Sequence, residues 1–536
     1  VTLWQNSAKT GKLFKLGAVA LATVFLYLLL AVQYPLGPSL NDPRTTWASM
    51  VAPNWLNAVY HLLIYLGLIL LYLAALRLLI PSGGERETQP RRLIRLILIT
   101  WLTCSAVLMF MSPAGESHDI FDYLFRGRLM TEYQANPLVD VPDDFDLSMP
   151  YSRYTAWRKH VDTYGPVWEA SSAGVSWSVH QVADGLGWWE EDTPVCPESP
   201  ESCCLLIVYI TGYRLLAIVL TGFSGWLIYS MVRQRQASLA PLALAAWLFN
   251  PLTLFASAAG GHNDAVMLVL ILLSWWLLQR GRPFPAMLAL IVAAHVKLTA
   301  LIWLPASALW IAWRWGWGRA LKIGLAGLAS GLALSWLLYA PFGGWGSLPR
   351  MLGERSRFFA NSGWHILYEL LDNHWGWLRQ HARQFSAALS TGLFALGALI
   401  SPLWTFNFRP KRWRSDTSDD PAEAERRLWR TLAIVSMLYL VIGSFWFQHW
   451  YVLWVLAPAA LFPDQRFTSS LLPWLVFGAL ASNAAMSFLL ATVLESAPRI
   501  VKYTTVVGII WGPFLVAIGA FVLAGRLGRR KSAKRA

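Results

Sequence analysis

Between Ser117 and Pro137 the chain reads SHDIFDYLFRGRLMTEYQANP, with His118, Asp119, Asp122, Arg126 and Arg128 inside eleven residues. Asp119 follows closely on an apolar run. A carboxylate there can stay ionised beside lipid and within reach of a hydroxyl, and its surroundings can adjust its pKa, as a general base requires. Asp122, three residues on, shares its face on a helical turn. Arg126 is seven residues from Asp119, two turns along the same stripe, whereas Arg128 falls on another face. An arginine fork can hold two phosphate oxygens at once. Each of these residues also has a plainer role open to it. Ser117 and Asp119 could cap a helix start, and the arginines could snorkel to lipid head groups.

Other polar groups interrupt apolar sequence further on. His262, Asn263 and Asp264 follow Gly260-Gly261, a pair that permits a tight turn, and ionisable residues at membrane depth are functional candidates. Lys297 stands in IVAAHVKLTALIW; fourteen residues of helix from Pro283 would raise it roughly 20 Å, and there it needs an anion, a lipid phosphate or Asp264. In SFWFQHWY an aromatic belt accounts for Trp446 and Trp450 but not for Gln448 and His449, which are binding candidates. Asp140, Asp143, Asp144 and Asp146 lack the glycine and glutamate of a calcium loop and read as a solvated acidic loop. No cofactor and no metal site is expected, although a divalent ion could be held there. The chain has no P-loop, no GxGxxG after a strand and no paired CxxC, which argues against an ATP-driven pump.

The elements that must position these groups are membrane helices. Of 536 residues 56% are hydrophobic and 14% charged, against about 25% charged in soluble domains. Apolar runs predict an all-α polytopic protein with spans near 16–33, 55–80, 93–112, 204–230, 239–258, 265–279, 323–341, 385–405, 430–446, 449–463, 468–492 and 503–525. Residues 284–313, with Pro305 inside, read as two short helices in a re-entrant pair. The first run carries no small-residue cleavage site and reads as a retained span. The net charge of +14 sits at the ends of apolar runs rather than in a basic patch, so no nucleic-acid partner is expected.

With the N-terminus in the cytoplasm, 28 Lys and Arg fall inside and 13 outside, and Arg77, Arg214 and Lys297 lie at membrane depth. That orientation predicts cytoplasmic termini, long outer loops at 113–203 and 342–384, a charged cytoplasmic linker at 406–429, and every candidate above on the outer face of the plasma (inner) membrane. An outer loop also permits a disulfide from Cys196 to Cys203 or Cys204, with free thiols the alternative.

The ordered set Asp119-Ile-Phe-Asp-Tyr-Leu-Phe-Arg-Gly-Arg128, Asn136-Pro137, Tyr164-Gly165-Pro166, Gly261-His-Asn-Asp264, Val296-Lys-Leu-Thr299 and His449-Trp-Tyr-Val-Leu-Trp454 resembles the GT-C superfamily of integral-membrane glycosyltransferases. It is most similar to the bacterial mannosyltransferase-like members that use polyprenol-phosphate sugars. The motifs keep their order over residues 115–455. The resemblance implies a GT-C-like bundle of about 12–14 transmembrane helices over residues 1–536, with 113–203 as the catalytic loop. Asp119 would be the base that deprotonates an acceptor hydroxyl, which attacks a lipid-phosphate-linked hexose with inversion.

By the same resemblance the polyprenyl-phosphate sugar and a glycan or glycolipid acceptor are the partners, within membrane lipid. His118, Asp122, Arg126, Arg128, Asn136, Tyr164, His262, Asn263, Asp264, Lys297, Gln448, His449 and Tyr451 would line the substrate site. Arg128, Lys297 and His262 would stabilise the departing phosphate. Four features depart from the pattern: Leu138 stands where tyrosine is common, the segment from Arg128 to Asn136 is one residue longer than usual, Asp122 stands where arginine or another residue is common, and many members carry the base in the first outer loop, which here holds Asp42. A flippase of lipid-linked sugars and a diphosphate-dependent ligase or polymerase are the alternatives.

Overall fold

The computed structural model describes residues 2–36, 54–81, 90–111, 117–145, 155–187, 204–355, 359–406 and 421–533. Asp42, Asp146, Cys196 and Cys203 lie outside them, as does the side chain of Cys204. Among the described residues the secondary structure is helical, apart from two single bridges, Pro35 with Met111 and Ala360 with Trp446.

In chain order the helices are α1 (Thr2–Gln33), α2 (Trp55–Leu79), α3 (Pro90–Met109), α4 (Asp119–Glu132), α5 (Pro166–Gly185), α6 (Cys204–Arg235), α7 (Ala240–Leu248), α8 (Pro251–Leu254), α9 (Asp264–Gln279) and α10 (Pro283–Ala294). There follow α11 (Leu304–Trp315), α12 (Trp317–Tyr339), α13 (Leu348–Arg355), α14 (Gly363–Glu369), α15 (Arg379–Thr405), α16 (Pro421–Leu438), α17 (Leu453–Ala459), α18 (Leu472–Ala491) and α19 (Arg499–Ala533).

Eight segments among the described residues are long and apolar enough to cross a membrane, lying on α1, α2, α3, α6, α12, α15, α18 and α19. The chain is a multi-pass membrane protein. On α12, Leu321, Leu325, Leu328, Leu332 and Trp336 recur at helical spacing and are each more than half exposed, a stripe that only lipid can cover favourably.

Several predicted spans are broken or short, each for a local reason. The run 239–258 bends by 56° between α7 and α8. Asn250 caps the second piece, accepting from Leu252 N at 3.0 Å, and Pro251 starts it without needing a donor. Residues 284–313 do form two short helices, α10 and α11, joined by a 3₁₀ stretch, Leu298–Trp303. The stretch 449–463 is a 3₁₀ turn, His449–Val452, followed by the seven-residue α17, all buried. An apolar composition does not tell a core helix from a span. The segment 113–203 also holds two helices, α4 and α5, and the charged segment 406–429 is helical from Pro421 onward.

The helices α4 and α5 are fastened to the bundle by polar groups. Ser172 Oγ on α5 and the Tyr213 hydroxyl on α6 both donate to the Tyr123 carbonyl on α4, at 2.9 and 3.0 Å. Arg214, buried in α6, donates to the carbonyls of Met109 and Met111 at 2.7 and 2.8 Å. It closes the end of α3, where helix carbonyls are otherwise unpaired. Burying such groups is tolerable only because they are matched.

Candidate active site

Two backbone features seat α4 and α5 on the bundle. Gly165 N donates to Val296 O and Val167 N to His295 O, both at 3.0 Å, so the start of α5 is laced to the chain just before Lys297. A Cβ on Gly165 would lie 2.1 Å from the His295 oxygen, so only glycine fits. Opposite, Gly261 at φ +60° turns the chain from the π-helical end of the bent span into α9. The turn abuts Ile120 of α4.

Between these elements is a cavity of about 140 Å³, lined by Asp119, Asp122, Arg126, Tyr164, Lys297, Gln448 and Tyr451 among the sequence candidates. Trp157, His160, Asp162, Tyr439, Ser444 and Trp446 complete much of the wall.

Asp119 opens α4, its amide donating to Ser117 Oγ at 3.1 Å; the capping hydroxyl is thus Ser117, and His118 makes no side-chain cap. The Asp119 side chain is 16% exposed, whereas those of Asp162 and Asp264 are 5% and 0% and Asp122 is also buried. Of these carboxylates it is therefore the one best placed to meet a ligand. Burial raises its pKa above the ordinary carboxylate value, opposed by hydrogen bonds from Ser117 and Trp157 and by the Lys297 charge. Burial lifts Asp122 much further despite Arg126 nearby, and Asp122 Oδ1 accepts from Trp157 N at 3.3 Å.

Lys297 is held by Asp264 Oδ2 at 3.0 Å, and its ammonium lies 5.0–5.5 Å from the ring centres of Tyr164, Tyr451 and Trp454. Asp264 Oδ1 accepts from Trp454 Nε1 at 2.6 Å. Hydrogen bonds and ring faces together offset the removal of this ion pair from water. His262 stacks on Trp450 with centroids 3.9 Å apart, and its Nδ1 is 4.0 Å from Asp119 Oδ2. Burial, then the nearby His449 and Lys297, keep the imidazole pKa well below its usual value, so it is neutral. Asn263 is buried beside it with neither side-chain polar atom hydrogen-bonded.

Arg126 reaches the cavity and spans its floor. It donates to His160 O at 2.8 Å and Trp157 O at 3.3 Å and lies 3.4 Å from Asp162 Oδ2, leaving Nη1 without a hydrogen-bond partner. Arg128 points elsewhere. It grips Glu132 with Nε at 2.7 Å and Nη2 at 2.5 Å, over the Tyr209 ring. Asn136 also lies off the cavity wall, in a turn where its amide donates to Asp140 Oδ2 at 2.7 Å and its Oδ1 accepts from Leu138 N. His118 lies against Phe121, and His449 stands edge-on to Trp450 behind the wall.

Sequence reasoning missed Asp162 and Glu169. Asp162 accepts from Tyr164 N at 3.0 Å and anchors Arg126. Glu169 is fully buried on the first turn of α5, and burial, then Asp162, push its carboxyl well above the usual range. A lone acid three residues beyond Tyr164-Gly165-Pro166 in an apolar helix start was the available signal for Glu169. Of the acidic loop, Asp143 pairs with Arg158 at 3.0 Å and Asp144 accepts from Val141 N. Among the described residues no three His, Cys, Asp or Glu side chains are set to share a metal ion.

Residues 15–313 match the MptA_B family, described as alpha-(1->6)-mannopyranosyltransferase, N-terminal domain. The chain belongs to this family. It is similar to a probable alpha-(1->6)-mannopyranosyltransferase of Mycolicibacterium smegmatis, 25% identical over 353 residues, 56% of each chain. It is also similar to alpha-(1->6)-mannopyranosyltransferase A of Corynebacterium glutamicum, 28% identical over 213 residues, 38% of this chain and 36% of that one. The chain spans about half the length or less of the curated relatives it matches. The family match contains Asp119, Asp264 and Lys297 but ends before Tyr439–Tyr451, which close the cavity.

Proposed function

We propose that this protein is a membrane mannosyltransferase forming an α-(1→6) linkage, with a polyprenyl-phosphate mannose as donor and a glycan or glycolipid as acceptor. The observation that carries the reading is Asp119: an accessible carboxylate in a sugar-sized cavity that it shares with two cations, Lys297 and Arg126. Membership of a family described as alpha-(1->6)-mannopyranosyltransferase supports the choice of sugar and linkage.

The step follows from the groups present. Asp119 takes the proton of the acceptor hydroxyl as its oxygen attacks the anomeric carbon. The bond from that carbon to the phosphate oxygen breaks, its electron pair leaves with the lipid phosphate, and the anomeric centre inverts. Lys297 and the spare Nη1 of Arg126 offset the charge gathering on the phosphate. Trp157, Trp446 and Tyr451 offer faces to the sugar ring. In this reading Arg128, turned toward Glu132, is structural. Neutral His262 acts behind Asp119 rather than on the phosphate. The cationic-loop asymmetry supports cytoplasmic termini and a site on the outer face of the plasma membrane.

The test compares membranes carrying the native chain with membranes carrying Asp119→Asn at equal protein level, each given radiolabelled polyprenol-phosphate-mannose. Transfer to endogenous acceptors by the native chain, reduced about 10²–10⁴-fold in the variant, is the expected result. Equal transfer by both would remove Asp119 as the base. Absence of transfer by the native chain, with the acceptor shown to be present, would remove this donor.

A further inference from the structure

At the end of the bundle away from the cavity, α6 and the turn between α9 and α10 enclose an open groove of about 820 Å³. It is lined by Trp226, Tyr229, Ser230, Arg233, Gln234, Gln279, Arg280 and Arg282. The fifteen residue steps of α9 from Asp264 to Gln279 put about 22 Å between the two sites. Gly281, at φ +70°, makes the turn that sets Arg280 and Arg282 beside Arg233.

Two of the three arginines are braced by rings rather than carboxylates. The Arg280 guanidinium sits 4.0 Å over Trp276 and that of Arg233 5.9 Å from Tyr229, and Trp276 Nε1 is tied to Ser230 Oγ at 3.2 Å. Among the described residues none of the three is ion-paired, and Glu425 at this end accepts from Gln279 Nε2 at 2.8 Å. Phe223 and Trp226 stack at 5.2 Å on the same face of α6, about two to three turns back from Arg233, and both are exposed on an apolar span. The groove therefore has a cationic mouth at the helix ends and an aromatic wall reaching into the hydrocarbon. That is the order of polarity in a lipid: anionic head, then chain.

We infer that this groove binds the phosphate head group of an anionic lipid, its chain lying along Phe223 and Trp226. Guanidinium forks match phosphate oxygens, and aromatic support fixes their orientation without neutralising them. Arginines that merely balance helix C-termini or snorkel would bind no lipid in particular. The lipid is either a bilayer phospholipid or a polyprenyl phosphate, and the two share the head-group chemistry.

The test is native mass spectrometry of the purified full chain, offered phosphatidylglycerol, phosphatidylcholine, undecaprenyl phosphate or inorganic phosphate in separate arms. At least a tenfold preference for an anionic lipid over phosphatidylcholine is expected, and whichever anionic lipid is retained names the source. The preference should vanish in Arg233→Gln/Arg280→Gln/Arg282→Gln and persist in Arg319→Gln, a matched exposed arginine 5.8 Å from Trp315 and outside the groove. No preference in the native chain, equal loss in both variants, or adducts of inorganic phosphate without lipid would each overturn the site. If the triple variant does not purify as a single species, Arg282→Gln is read alone. A threefold loss is then expected, and an unchanged ratio overturns the inference.

Discussion

The two ends of the bundle handle charge in opposite ways. Around the cavity, Asp119, Asp122, Asp162, Glu169 and Asp264 are packed with Arg126 and Lys297, and all but Asp119 are nearly sealed. At the far end three arginines stand exposed, two of them on aromatic rings, with no carboxylate paired to them among the described residues. Water makes isolated charge cheap at the open end. At the closed end each charge must be paired, neutralised by its proton, or held on an available ligand. The difference marks where a proton can change hands, and Asp119 is where the closed end is least closed. Asp119→Asn is accordingly the sharpest test of the comparison. Transfer should fall about 10²–10⁴-fold. The Tm at neutral pH should hold or rise, because the variant removes a carboxylate that burial already disfavours in its charged form. A loss of Tm would recast Asp119 as structural.

The next effect in size concerns the sealed pair. Lys297→Met leaves Asp264 with only Trp454 Nε1 as hydrogen-bond donor and should cost about 3–5 kcal/mol, read as a loss of thermal stability in detergent. Lys297→Met with Asp264→Asn should recover most of that stability without recovering transfer. Recovery of transfer as well would mean that the lysine only holds the fold.

Much of this arrangement was legible in the sequence, because lipid makes polar residues conspicuous. Lys297, His262 and Asp264 stand out of apolar runs, and their expected alternative, a lysine–aspartate pair, is what forms. The phase of Arg126 relative to Asp119 was readable and puts both on the cavity. Arg128 could have been set aside from its i,i+4 spacing to Glu132, an overlooked pairing signal. Glu169 stands out as a lone acid in an apolar helix start, but the pairing of Asp162 with Arg126 and the sealing of both acids were not legible, since they arise only when α5 docks on residues 295–296 through Gly165. Residues 449–463 read as one span but form a 3₁₀ turn and a seven-residue buried helix, because composition does not separate a core segment from a lipid-facing one. The closing wall from Tyr439, Ser444 and Trp446 depends on tertiary packing that no local pattern carries.

That docking contact gives a smaller prediction. Gly165→Ala drives a methyl into the His295 carbonyl, so the backbone must shift, at about 1–3 kcal/mol. Because the shift separates Tyr164 from Lys297, transfer should fall more than stability does. Gly174→Ala, in the same helix with open space around its Cβ, is the control and should be silent in both.

The pH dependence sharpens the comparison further. Asp119 works as a base only when ionised, and its pKa is raised by burial, so transfer should fail on the acid side at a pH above the ordinary ~3.9 of aspartate. The Lys297 charge favours the ionised form, so its removal must raise that pKa again. In the Lys297→Met/Asp264→Asn chain the acid limb of any residual transfer should lie at higher pH if loss of the cation outweighs loss of the Asp264 charge, which acts in the opposite sense. The order of the two effects on Asp119, Lys297 ahead of Asp264, gives the net direction as upward. A limb moved downward would mean that Asp264, not Lys297, governs the charge on the base.

The smallest effect is expected at Arg128. Its guanidinium is spent on Glu132 and lies over Tyr209, away from the cavity wall. Arg128→Gln should leave transfer within a few-fold of native and remove a partly covered i,i+4 pair, at about 1 kcal/mol. Arg126→Gln, two residues earlier, takes away the clamp on the Trp157 and His160 carbonyls and the spare donor at the cavity. It should lower kcat at least tenfold. Equal losses from the two variants would contradict the geometry, since a step of two residues, about 200° of helical phase, is all that separates a residue facing the sealed cluster from one facing away.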